Sequence, residues 1–123
     1  MHKKYYRSAT SKSPLSGAVL AGNTLYISGQ LGIDPSTGKM QEGDRAQTLQ
    51  AMENLSAQLA QAGMTLENVV KTMIYVAADT NVAEVNEAYA SYFGENLPAR
   101  SLVRAAFPNT AAKVEIEAIA VTE

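Results

Sequence analysis

Cysteine and tryptophan are missing from this 123-residue chain, and histidine occurs once, at His2. Without thiols there is no disulfide, no thiolate nucleophile and no cysteine-based metal site. A single histidine near the start of the chain cannot supply a His-centred triad or a zinc site. No metal and no cofactor are therefore expected. Long apolar runs are missing too: none approaches the roughly 20 residues that a spanning helix needs, so no membrane partner is expected. The opening Met-His-Lys-Lys-Tyr-Tyr-Arg is basic, but no apolar stretch follows it, and it does not read as a signal peptide. The expected location is the cytoplasm. A formal net charge of −2 gives no general attraction for nucleic acid. Only the cluster of Lys3, Lys4, Arg7 and Lys12 with Tyr5 and Tyr6 could touch RNA. The plainer reading of residues 1–13 is a solvated, loosely packed leader whose tyrosines rest at an edge.

What is present is the composition of one folded domain. Hydrophobic residues make up 46% and charged residues 18%, too apolar for disorder and ordinary for a soluble protein. Ala18-Val19-Leu20 and Leu25-Tyr26-Ile27 flank Gly22-Asn23, which predicts a tight hairpin. Asp34-Pro35-Ser36-Thr37-Gly38 reads as a turn-rich loop. Ala46, Leu49, Met52, Leu55, Leu59 and Ala62 recur at spacings of three and four, one face of a helix that Gly63 should stop. Residues 70–77 are β-branched and alternating, a strand. Asp79 or Thr80 should cap a second helix carrying Val82, Val85, Tyr89 and Phe93, with Gly94 at its end. Pro98 pushes Leu97 into an extended conformation, and strands over 99–106 and 113–121 follow.

The predicted order is β-β-α-β-α-β-β, an α+β fold with two helices covering one face of a sheet. In the last strand Val114, Ile116, Ala118 and Ala120 share the face toward the helices, and Glu115, Glu117 and Ile119 the other. The strand before it is read with Ser101, Val103 and Ala105 toward the helices, and Arg100, Leu102 and Arg104 beside the glutamates. Such a mixed face is too charged for a monomer's core and too apolar for open solvent, so it predicts a homo-oligomer. On charge pattern alone, Arg100 either binds an anionic ligand or pairs with Glu115 or Glu117 across the strands.

At this point the residues resemble the RidA/YjgF family. The likeness lies in Tyr26-Ile27-Ser28-Gly29-Gln30, Asp34-Pro35-Ser36-Thr37-Gly38 and Asn68-Val69-Val70-Lys71-Thr72. It continues in Val85-Asn86-Glu87-Ala88-Tyr89, Tyr92-Phe93, Pro98-Ala99-Arg100-Ser101 and residues 114–120, in order over about residues 14–121. The resemblance implies a chorismate-mutase-like fold and a homotrimer with sites in the clefts between subunits. It implies hydrolysis of 2-imino acids, or their enamine tautomers, to 2-keto acids and ammonia. By position, Arg100 matches the carboxylate-binding arginine and Glu115 the water-holding glutamate. Ser28, Gly29, Asn86 and the backbone N–H of Leu102 match other positions near the site. Two positions depart from the family pattern. Leu15 stands in Pro14-Leu15-Ser16-Gly17-Ala18 where a site tyrosine is common, and Leu102 stands where a cysteine is frequent.

The chemistry suits these residue types. A guanidinium offers two parallel hydrogen bonds to a carboxylate and stays charged. A glutamate can accept a proton from water and so aim its lone pair at an imine carbon. The same cleft could instead hold a keto acid without turning it over. Endoribonuclease activity, also attached to the family, has less support, because a lone histidine leaves no obvious acid–base pair.

Overall fold

The computed structural model describes residues 2–8 and 10–122. The elements run β1 (Lys3–Tyr6), β2 (Ala18–Ala21), β3 (Thr24–Leu31), β4 (Ile33–Asp34), β5 (Lys39–Met40), α1 (Asp44–Gln61), β6 (Val69–Val76), α2 (Val82–Ala90), β7 (Ala99–Arg104) and β8 (Val114–Val121). Six strands form one sheet in the order β1-β2-β3-β8-β6-β7. Every neighbouring pair is antiparallel except β6 and β7, which are parallel because α2 carries the chain back between them. The α+β architecture with a mixed sheet is as expected, and β4–β5 adds a small separate hairpin at the predicted turn. No helix among the described residues is long and apolar enough to cross a membrane.

The leader contributes more than its sequence suggests. Lys3 to Tyr6 pair in register with Ala21 to Ala18, so β1 is an edge strand of the main sheet. Its charged pattern hides this, because an edge strand needs backbone partners on one side only and tolerates lysine on the other. Gly22, at φ 62, makes the two-residue turn between β2 and β3 possible.

Helix α1 buries Met52, Leu55 and Leu59 against β3 and β8, and touches α2 along its side. Gly63, at φ 71, follows its last turn as predicted. Two polar residues, Gln47 and Thr48, are also buried in its first turns. Gln47 donates to the carbonyls of Gln41 and Ala111, both at 3.0 Å, and accepts from the Lys113 N–H at 2.7 Å. One side chain thus serves three backbone groups that would otherwise lie unpaired in a dry place. Helix α2 departs from expectation at both ends. Asn81 caps it, accepting from the Glu84 N–H, while Asp79 is drawn off to Lys113 and Thr80 donates to the Lys113 carbonyl. It stops at Ala90 rather than at Gly94, and Phe93 lies in the turn beyond.

The facing of β7 is a correction. Its parallel register sets Arg100 beside Thr72, Leu102 beside Ile74 and Arg104 beside Val76. Thr72, Ile74 and Val76 are fully buried on the helix side, level with Ala118, Ile116 and Val114 of β8. Arg100, Leu102 and Arg104 therefore point to the helix side, and Ser101 and Val103 to the open face. An edge strand exposes both of its faces, so alternation alone could not fix its phase. The open face keeps Glu115, Glu117 and Ile119 of β8, Lys71, Met73 and Tyr75 of β6, and Leu31 and Tyr26 of β3.

Candidate active site

The candidate residues form two groups on opposite faces of the sheet. The first is built around Arg100, second residue of β7. Its guanidinium carbon lies 5.2 Å from the ring centre of Tyr89 on α2. Tyr89 is a rigid shelf: it is 4% exposed, its hydroxyl shares a 2.8 Å hydrogen bond with that of Thr72, and its ring lies 5.0 Å from that of Phe93. Burial pushes the Tyr89 phenol up, against the opposing pulls of the Thr72 hydrogen bond and the Arg100 charge. It stays neutral, and its ring face attracts the cation. Arg100 makes no salt bridge among the described residues, whose ion pairs are Arg45–Glu87 and Lys113–Asp79. Pairing with Glu115 or Glu117 within the chain is excluded, because those carboxylates lie across the sheet. Arg104 is placed differently: it donates to the carbonyls of Ala77, Ala78 and Thr80, and so ties down the loop before α2.

Two more candidates lie on the Arg100 side. Asn86 is exposed on α2, one turn before Tyr89 and on the same flank. Leu102 packs its side chain against the core. The Ala105 N–H donates inward to Val76, so by strand alternation the Leu102 N–H points away from the sheet edge.

The second group surrounds Glu115. The pairing of β3 with β8 shifts between Ile27 and Gln30, a bulge that holds Ser28 and Gly29. Gly29 lies directly against Glu115: a β-carbon there would stand 2.6 Å from Glu115 Oε2. Glu115 is half-buried and accepts no hydrogen bond from protein among the described residues. Burial pushes its carboxyl up from the usual range, and the negative charge of Glu117 adds to the effect. Ser28 donates its hydroxyl to the Ser16 carbonyl at 2.6 Å and its N–H to the Gly17 carbonyl at 3.0 Å. These bonds fasten the segment that carries Leu15 to the bulge. Arg7 holds the same segment from the other side, donating to the carbonyls of Leu15 and Ser13. Leu15 itself is 55% exposed. Tyr6 borders a groove beside Leu15 on the helix side, whereas Tyr5, level with Val19 and Tyr26, belongs to the open face that carries Glu115.

Arg100 and Glu115 are three residues apart in register and two strands apart, a Cα separation of about 14 Å from ordinary strand spacing. They also point in opposite directions. Within one chain the two groups do not face a common cleft.

Comparison with known proteins places the chain. The sequence profile of the family described as Endoribonuclease L-PSP matches residues 7–122. A RutC family protein of Pyrococcus horikoshii is 45% identical over 89% of this chain and 88% of its own. The 2-iminobutanoate/2-iminopropanoate deaminase of Rattus norvegicus is 44% identical over 92% of this chain and 87% of its own. Among solved structures, E. coli TdcF with bound serine superposes with a TM-score of 0.89 at 28% identity, covering 98% of this chain and 99% of its own. The chain belongs to the Endoribonuclease L-PSP family, the RidA/YjgF family that its motifs resemble.

Proposed function

We propose that the protein is a cofactor-independent deaminase that hydrolyses small 2-imino acids, such as 2-iminobutanoate and 2-iminopropanoate, in clefts between the chains of a homotrimer. Arg100 of one chain, with the Leu102 N–H and Asn86 beside it, holds the substrate carboxylate. Glu115 of the next chain directs water from its place against Gly29 and Ser28. One observation carries this reading: Arg100 rests on a neutral aromatic shelf without an acidic partner among the described residues, while the carboxylate expected to work with it lies on the far face. The deaminase names among the relatives and the bound serine of TdcF support a small amino-acid-like substrate.

The reaction needs little more than these groups. With its nitrogen protonated, the imine carbon is already electrophilic. Water adds to it as Glu115 takes one proton, giving a carbinolamine. Glu115 passes that proton to the amine nitrogen and takes up the hydroxyl proton as the C–N bond breaks, leaving the ketone and ammonia, which departs as ammonium once Glu115 returns the proton. A positioned acid–base group contributes about 10²–10⁴ in rate. Charged hydrogen bonds from Arg100 contribute roughly 1.5–3 kcal/mol each to holding the substrate.

The test uses enzymatically generated 2-iminobutanoate and the rate of keto acid release. Arg100→Ala should raise KM by at least about tenfold, and Glu115→Gln should lower kcat about a hundredfold or more. An Arg100→Ala protein as fast as wild type would sink the assignment of that residue. Refolding the two variants together separates a shared cleft from a single-chain one. Random mixing in a ring should leave about one cleft in four with both groups intact, and recover that share of wild-type activity. No recovery means that both groups act from the same chain. Wild-type protein that binds 2-ketobutyrate yet leaves imine hydrolysis at its solution rate would be a binding protein instead.

A further inference from the structure

Two carboxylates, Glu115 and Glu117, stand two residues apart on the open face of β8, and among the described residues only one has a donor. Tyr75 of β6 sits directly opposite Glu115 in the register, yet its hydroxyl reaches along the strand and donates to Glu117 Oε1 at 2.7 Å. Glu115 is left against the bare backbone of Gly29. The groups facing this pair from the neighbouring strands are few. Besides Tyr75, β6 offers Lys71, which lines the same small hollow as Glu117 and lies four residues from Tyr75 along the strand. The facing positions of β3 are Ser28, Gly29 and Leu31, and those of β7 are Ser101 and Val103; none of these carries a charge. From these placements we infer that Tyr75 and Glu117 are positioning residues for the catalytic step. Tyr75 holds the Glu117 carboxylate in place beside Glu115, whose own carboxyl is left free to meet water. This rests on the reading of Glu115 as the group that accepts a proton from water.

The physical argument is one of asymmetry. Two like charges on adjacent same-face positions disfavour each other, and whichever carboxylate lacks a donor yields first by holding a proton. Tyr75 decides which of the two has a donor, by bonding Glu117. The Glu117 bond in turn raises the Tyr75 phenol, so it remains a donor across the working range. Burial and the Glu117 charge both push the Glu115 carboxyl up, in keeping with this division. A base whose proton affinity lies nearer neutrality removes a proton from water more readily.

The test is a carbon-13 titration of the glutamate side-chain carboxyls in labelled protein, with the Glu115 signal identified by its loss in Glu115→Gln. Glu117→Gln keeps an acceptor for Tyr75 and removes the charge. It should lower the Glu115 midpoint by roughly 0.5–1 pH unit, and move the acid limb of kcat/KM by the same amount. Tyr75→Phe frees the Glu117 carboxylate to swing away from Glu115, and should move the Glu115 midpoint in the same direction by a smaller amount. A Glu115 midpoint unmoved in Glu117→Gln overturns the inference. A midpoint that moves while the acid limb stays fixed leaves the pairing standing, and removes Glu115 as the base of the proposed reaction.

Discussion

Gly29 and Gly32 lie three residues apart, and each leaves no room for a β-carbon, but for different reasons. At Gly29 the obstructing atoms are the end of the Glu115 side chain; at Gly32 they are the Cα and carbonyl of Gln47 in α1. A flexible carboxylate can swing aside, whereas a helix backbone cannot. Gly29→Ala should therefore cost less than about 1 kcal/mol of stability and lower kcat at least about tenfold by displacing Glu115. Gly32→Ala should cost about 1–3 kcal/mol or more, with kcat spared in whatever remains folded. Urea unfolding beside steady-state kinetics separates the two, and a Gly29→Ala protein with normal kcat would remove Glu115 from the chemistry. Both glycines are plain in the sequence, but what each one faces is set by tertiary contacts.

At the scale of elements, the periodic parts of the chain were readable and the unpaired parts were not. The α1 stripe, its stop at Gly63 and the alternation of β8 all appear in the residues, because each has one face in a dry core. β7 has no such face: its six residues are all exposed except Leu102, which is half-buried, so only the register with β6 reveals which way Arg100 points. The shelf under Arg100 was equally hidden, since Tyr89 reads as core in any helical pattern. It can be tested in two parts. Tyr89→Phe keeps the ring and strands the Thr72 hydroxyl, so it should cost about 1–3 kcal/mol of stability and leave KM unchanged. Tyr89→Leu keeps apolar bulk but removes the ring face, and should raise KM about three- to thirtyfold. If both variants showed wild-type KM, the shelf would play no part in holding the guanidinium.

For the whole molecule, the open face of the sheet sets the terms. Tyr26 is 51% exposed and Val103 42% exposed on a surface that also carries Met73 and Ile119. Mixed apolar and charged area of this kind is better covered by a second copy than by water. Replacing both Tyr26 and Ile119 with glutamate should give monomers by light scattering, and the proposed deaminase activity should fall as the proposed trimer is lost. Association or full activity surviving that pair of changes would place the contact elsewhere. The expectation of self-association rests on the alternation of the last two strands, and the arginines assigned to that face belong to the other one.

The strand order has a further consequence at the rims of the sheet. One rim is β1 with Lys3 and Lys4, and the other is β7 with Arg100 and Arg104. A chain of net charge −2 thus carries positive charge along both of its open backbone edges. Two molecules approaching rim to rim meet like charges before their unpaired amides and carbonyls can join. End-on growth into fibres is opposed at low ionic strength, and that protection weakens once salt shortens the range of the repulsion to about 3 Å near 1 M.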